Sequence, residues 1–197
     1  MTDGKPANQR RRQLADAVLA IAGERGLDEV SIREVAARTG VSIGAVQYYF
    51  RTKDELLLFA IEQVTERLIS RLDALPPAAS IRAEIHREMA AMMPLNPPAE
   101  LANRIWLAFA ARSLVSESLG EAHATGLRQI RAHYESRLSE ARDDGNLSDV
   151  DPKMAATILL ALVDGLTMHA LLSPDELPAD FLRRAIDVYL DWIFHVP

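Results

Sequence analysis

A chain of 197 residues, 49% of them hydrophobic, can bury a substantial core and is too apolar to stay disordered as a whole. It contains no cysteine, which excludes disulfides and thiolate metal sites and fits a reducing compartment such as the cytoplasm. The net charge of -6 is unevenly spread: residues 1–53 carry nine Lys or Arg against six acids, a balance of +3, and the remainder sums to -9, so any polyanion is directed to a basic head on an acidic body.

The N-terminal MTDGKPANQRRRQ is basic but has no apolar segment behind it, and no secretory signal is expected. Apolar residues at helical spacing then run through the whole chain, with no sustained alternation of period two, so the fold is expected to be all-α with about nine helices. A first helix is predicted from about Asn8 to Arg25, with Leu14, Ala17, Val18, Ile21 and Ala22 as its apolar stripe and Gly26 beyond its end. Ser31 and Glu34 have the spacing of a capping box, in which each side chain satisfies a backbone amide of the other's turn, and open a second helix, Ile32 to about Thr39. Gly40 and Val41 form a turn, and Ser42 can cap a third helix ending near Phe50. Thr52 and Glu55 repeat the capping box before a long fourth helix, Lys53 to about Leu75, which Pro76 and Pro77 stop. Further helices are predicted at about Ser80 to Met93, Ala99 to Ser116, Gly120 to Asp143, Pro152 to Leu172 and Ala179 to His195. The segment Met154 to Leu172 is the best membrane candidate, but Asp164 and His169 interrupt it. Its longest strictly apolar run is Ile158 to Val163, well below the roughly 20 residues a bilayer needs, so it reads as a buried helix and no membrane partner is expected.

The third helix is short, below the ~12–15 residues at which an isolated helix becomes marginally stable in water, so packing must hold it. Winding it at about 3.6 residues per turn puts Val46 and Phe50 on one inward face. Gly44, Ala45, Gln47 and Tyr48 point outward, with Ile43 and Tyr49 at the flanks. The outward face is small at its N-terminal end, as close approach to base edges in a major groove requires. Gln47 can donate and accept in one plane, the pattern that reads adenine, while tyrosine hydroxyls suit phosphate oxygens and Lys53 adds a positive end at the groove wall. Arg10, Arg11 and Arg12 are compatible with minor-groove or phosphate contact and equally with a solvated basic helix start.

The stretch SIREVAARTGVSIGAVQYYFRTKDEL, with RGLDEV and the helix before it, resembles the N-terminal DNA-binding domain of TetR-family transcriptional regulators over about Gln9 to Leu57. RIWLAFAAR (Arg104 to Arg112) and LLALVDGLTMHALL (Leu159 to Leu172) are similar to the choline-responsive, BetI-like branch. The resemblance implies a three-helix helix-turn-helix DNA-binding domain over residues 8–53 joined to a helical ligand-binding and dimerisation domain over 54–197. It implies that Ser42, Ile43, Ala45 and Gln47 approach bases, that Tyr48 and Tyr49 touch phosphate, that Lys53 holds the backbone, and that Ser31 and Arg33 meet the opposite groove wall. Many members carry tyrosine at the position of Gln47 and lysine at that of Ile43, so base preference is expected to differ.

The last helix carries two apolar stripes: Leu182, Ile186, Tyr189 and Ile193, and then Phe181, Val188 and Trp192. A helix apolar on two sides is buried on two sides. One side is expected to meet the subunit core and the other a two-fold partner, with Leu162, Leu166, Phe181, Val188 and Trp192 at the dimer interface, an arrangement the resemblance also implies. The resemblance implies a small-molecule inducer near Met92, Trp106, Phe109, Met168 and His169, although methionines and aromatics at this spacing also suit plain core. Arg104, Arg112 or Asp164 could pair with a charged ligand or form internal salt bridges. The five histidines, His86, His123, His133, His169 and His195, form no HxxxH or HExxH pair, and no metal or cofactor is expected. No GxSxG, GxGxxG or P-loop pattern is present, so the chain is read as non-enzymatic. The expected function is that of a homodimeric regulator, a repressor released from a palindromic operator by its inducer. The competing reading is a helical small-molecule carrier or partner-binding module without sequence-specific DNA binding.

Overall fold

The computed structural model describes residues 4–76 and 78–194. Among these are nine α-helices and no strand: α1 (Gly4–Arg25), α2 (Ile32–Thr39), α3 (Ile43–Tyr49), α4 (Lys53–Asp73), α5 (Ile81–Met92), α6 (Pro97–Ser113), α7 (Glu117–Asp143), α8 (Pro152–Leu172) and α9 (Ala179–Ile193). A 3-10 turn, Leu27–Glu29, which the sequence pattern does not reveal, follows α1. The expected end of the last helix at His195 lies outside the described residues.

The starts of the helices are set by side-chain caps. Ser31, Ser42 and Thr52 oxygens each accept the amide three residues on, all at 3.1 Å, and Asp151 accepts that of Met154 at 3.0 Å. The two expected capping boxes are only half formed. Glu34 gives its carboxylate to Arg25 at 2.6 Å, and the Glu55 carboxylate accepts from the amide of Arg51 at 2.7 Å, one residue before the cap. For Glu34 the reason is energetic: a charge-assisted bond to a guanidinium is stronger than one to a neutral amide. At the end of α2, Gly40 adopts φ 68°, a left-handed conformation that a Cβ disfavours, and its amide closes back onto Ala36 and Ala37.

Packing divides the chain into two compact units. One comprises residues up to Arg71 together with Arg104–His123; the other comprises Leu72–Asn103 and residues from Ala124 onwards. This differs from the division at residue 53 expected from the helix-turn-helix pattern. The cause is that α4 buries Leu56, Leu57, Phe59 and Ala60 in the same core as Leu14, Ile21, Val35, Val46 and Phe50, and that Ile105, Phe109 and Leu119 join it. In the second unit, Ile85, Met89, Met93, Tyr134, Leu138, Leu159, Leu182, Ile186 and Leu190 form the core. There α5 packs on α9 and α8 on α9. The Tyr189 hydroxyl donates to the Ala155 carbonyl at 2.8 Å, and Leu147 and Phe194 form a single antiparallel bridge.

By length and composition α8 could cross a bilayer. Nine of its residues are instead buried within the second unit, Ala155, Leu159, Val163 and Leu171 among them. The interrupted apolar pattern is thus that of a core helix whose other side is left open.

Candidate nucleic-acid interface

The outward face of α3 is built by three local features. The Ser42 cap fixes the start of the helix, Val46 (0% exposed) anchors its middle, and Phe50 (1% exposed) anchors its end. Burying a phenylalanine side chain stabilises by about 1.5–3 kcal/mol, enough to hold a helix of seven residues that could not stand alone. Gly44 and Gln47 are then exposed, Ala45 is half-buried, Ile43 is 47% exposed and Tyr48 82% exposed. Tyr49 leans back on the core, its ring edge-on to that of Tyr48 with centroids 5.0 Å apart. Ser42, Ile43, Ala45, Gln47 and Tyr48 therefore share one accessible surface, and Tyr49 flanks it.

Beside this surface runs an open groove of about 310 Å³ lined by Arg10, Leu14, Val41, Ala45, Tyr48 and Tyr49. Arg33 is exposed at the first turn of α2, next to Ser31, whose hydroxyl oxygen accepts the Glu34 amide as the cap of that helix. Lys53, expected to hold the DNA backbone, donates from Nζ to the Asp28 carbonyl at 3.0 Å, tying α4 to the 3-10 turn. An ammonium has three donors, so this bond orients Lys53 and leaves donors over.

The basic head is less free than its sequence suggests. Arg25 pairs with Glu34 at 2.6 Å and Arg38 with Glu24 at 2.5 Å, and both carboxyls are held below their ordinary values, in each case chiefly by the guanidinium hydrogen bond. Arg11 lies with its guanidinium over Phe59 at 4.3 Å and Phe50 at 5.3 Å. No signal in the sequence distinguished Arg11 from its two neighbours.

The five residues expected around a ligand are divided between the two units. Trp106 and Phe109 stand in the first unit, each about 6 Å, ring to ring, from His123, whose imidazole burial holds below its ordinary value. Nothing in the sequence pattern sets His123 beside them. In the second unit Met92 packs inward, its sulfur 3.9 Å from the buried Tyr134 hydroxyl, while Met168 and His169 lie exposed on α8. Arg112 stands 4.0 Å from Asp54, as an internal salt bridge, and burial pushes the Asp164 carboxyl up to about 6.

Of the expected dimer residues, Phe181 (41%), Val188 (70%) and Trp192 (64%) are exposed and Leu162 is half-buried. Met154, Ile158, Met168 and Leu172 extend the exposed apolar strip along α8. Leu166 packs against the core of the second unit.

A capped three-helix head with a short, small-faced third helix, joined to a larger helical body, defines a helix-turn-helix transcriptional regulator. Comparison with known proteins narrows this. The family described as "Bacterial regulatory proteins, tetR family" matches residues 14–59, and "BetI-type transcriptional repressor, C-terminal" matches residues 79–195. The HTH-type transcriptional regulator PksA of Bacillus subtilis is 31% identical over 191 residues, covering 94% of this chain and 90% of that protein. The HTH-type transcriptional regulator BetI of Escherichia coli K12 is 32% identical over 182 residues, covering 89% and 90%. Among solved structures, a transcriptional regulator from Rhodococcus sp. Rha1 superposes with a TM-score of 0.86 at 33% identity, covering 95% and 98%. A regulator from Saccharomonospora viridis, solved in complex with choline, has a TM-score of 0.84 at 20% identity, covering 96% and 100%, and shares the fold. The chain belongs to the TetR family of transcriptional regulators, with a BetI-type C-terminal part.

Proposed function

We infer that the chain acts as a homodimeric repressor whose two α3 helices read a palindromic operator in the cytoplasm, and which a small-molecule inducer releases. The observation that carries this reading is the outward face of α3, capped and small at its N-terminal end and polar at Gln47 and Tyr48. Support for the dimer comes from the exposed apolar residues Met154, Ile158, Met168 and Leu172 of α8 and Phe181, Val188 and Trp192 of α9, which a partner would cover. Two-fold pairing presents two recognition helices to half-sites about one DNA turn apart. Ser31, Arg33, Tyr48, Tyr49 and Lys53 then hold the phosphates, and Ser42, Ile43, Ala45 and Gln47 face the bases.

For the inducer, the half-buried Asp164 carboxylate, with burial alone acting on it, favours a cationic ligand. The choline complex of the Saccharomonospora neighbour points to the same chemistry. Such a ligand weakens operator binding only through unequal affinity for the DNA-competent and released states.

Selection of duplexes from a random pool, followed by footprinting of the winner, tests the reading. Saturable, sequence-selective protection with two-fold symmetry is expected; tight small-molecule binding without duplex selection would instead indicate a carrier. With the selected duplex, Tyr49→Ala and Lys53→Ala should weaken binding to all sequences, while Gln47→Ala should change the preferred base. Uniform weakening by Gln47→Ala counts against base contact there.

A further inference from the structure

Resting on the reading of α3 as the element that enters the duplex, we propose that Arg11 is a positioning residue for DNA recognition, holding the C-terminal end of α3 through the rings beneath it without contacting phosphate. Its guanidinium centre lies 4.3 Å from the Phe59 ring centroid and 5.3 Å from that of Phe50. The two rings are buried, with 8% and 1% exposure, and their centroids are 5.4 Å apart. Phe50 is the C-cap residue of α3, its amide bonded to the Val46 carbonyl at 2.9 Å, and it follows Tyr48 and Tyr49 directly. A cation on α1 thus rests on a ring of α4, and that ring packs on the residue that ends the reading helix. A guanidinium over an aromatic face is attracted by the ring quadrupole, and its flat shape also covers the rings from water. Swinging Arg11 out to a phosphate would forfeit both effects.

Arg10 has a different fate because one helical step turns a side chain by about 100°. Exposed like Arg11, it instead donates to Gln13 Oε1 at 3.1 Å and lines the groove formed with Val41, Ala45, Tyr48 and Tyr49. That groove places a cation beside the two tyrosine hydroxyl-bearing side chains on the accessible face of α3, the setting for a backbone phosphate. Of two adjacent arginines, one sets the pose and the other meets the charge.

The test uses the full-length protein and a duplex that the wild type has selected from a random pool. Dissociation constants across a salt series are compared for wild type, R10A, R11A, R11M, R11K, F59L and R11M/F59L, with circular dichroism and thermal melting to establish folding. R11M keeps the rings covered by an unbranched chain and serves if R11A does not fold. The expected result is about threefold to tenfold weaker binding by R11A or R11M with an unchanged slope of log affinity against log salt. R10A should flatten that slope by about one counterion. R11K, which keeps a cation for the rings, should fall between wild type and R11M, and R11M/F59L should bind no more weakly than F59L. A slope flattened by about one in R11M, unchanged affinity in R11M, R11K no better than R11M, or full additivity with F59L would each overturn the proposal. A wild-type protein that selects no duplex overturns the DNA-binding reading itself and this proposal with it, an outcome distinct from all of these.

Discussion

Gly44 leaves an open spot on the outward face of α3: a Cβ built there comes no nearer than 3.9 Å to Ser42 Oγ. The folded chain therefore does not need glycine at this position, and alanine should stabilise the helix by up to about 1 kcal/mol through its better propensity. A duplex pressed against this face does need the space. Gly44→Ala should accordingly raise the thermal midpoint and weaken operator binding, opposite signs that one melting curve and one titration can read. Asp164 makes a second prediction at this scale. Its folded-state pKa is raised to about 6 by burial, whereas an unfolded aspartate titrates near about 3.9. The folded state thus holds the proton more tightly, so this group's contribution to stability is complete below about pH 4 and is lost as pH rises through about 6. Asp164→Asn should melt higher than wild type at pH 8, with the difference shrinking at pH 5.

The helices as elements were largely legible, because their signals are local. Ser31, Ser42, Thr52 and Pro152 mark starts that the structure matches to within a residue, and Gly40 marks the turn. Less legible was what depends on partners distant in sequence. Nothing in Ser31-x-x-Glu34 says that Arg25, nine residues away, will take the carboxylate, nor that Asp28 will offer its carbonyl to Lys53 across 25 residues. The same holds for Arg11, whose rings lie 39 and 48 positions further along the chain. Where the local signal is sound its removal is measurable: α3 has seven residues and one side-chain cap, so Ser42→Ala should cost about 1 kcal/mol in urea unfolding. Because the cap sets the start of the reading helix, DNA affinity should fall further than this loss in stability alone accounts for.

At the scale of the whole molecule, two apolar stripes on α9 predicted one buried and one open side, and the structure has both: Leu182, Ile186 and Ile193 are buried while Phe181, Val188 and Trp192 stand exposed. Leu166, expected on the open side, is partly buried and lies toward the face of α8 that carries the buried Val163, Thr167 and Ala170. If the open side pairs with a second copy, a charge at its centre must be desolvated on association, which is costly without a partner charge. Val188→Glu should give a folded monomer by light scattering, with operator affinity lowered because two half-sites are no longer read together. Retained dimer in that variant would place the interface elsewhere.

The ion pairs of the head have a wider effect. With Arg25 and Arg38 neutralised by Glu34 and Glu24, and Arg11 turned onto its rings, fewer cations remain to displace potassium from a duplex than the nine in residues 1–53 imply. Grip on an operator then rests more on fit than on bulk charge. Operator binding by such a head should therefore depend less steeply on salt than that of a more densely charged binder, and the acidic body should disfavour unrelated DNA.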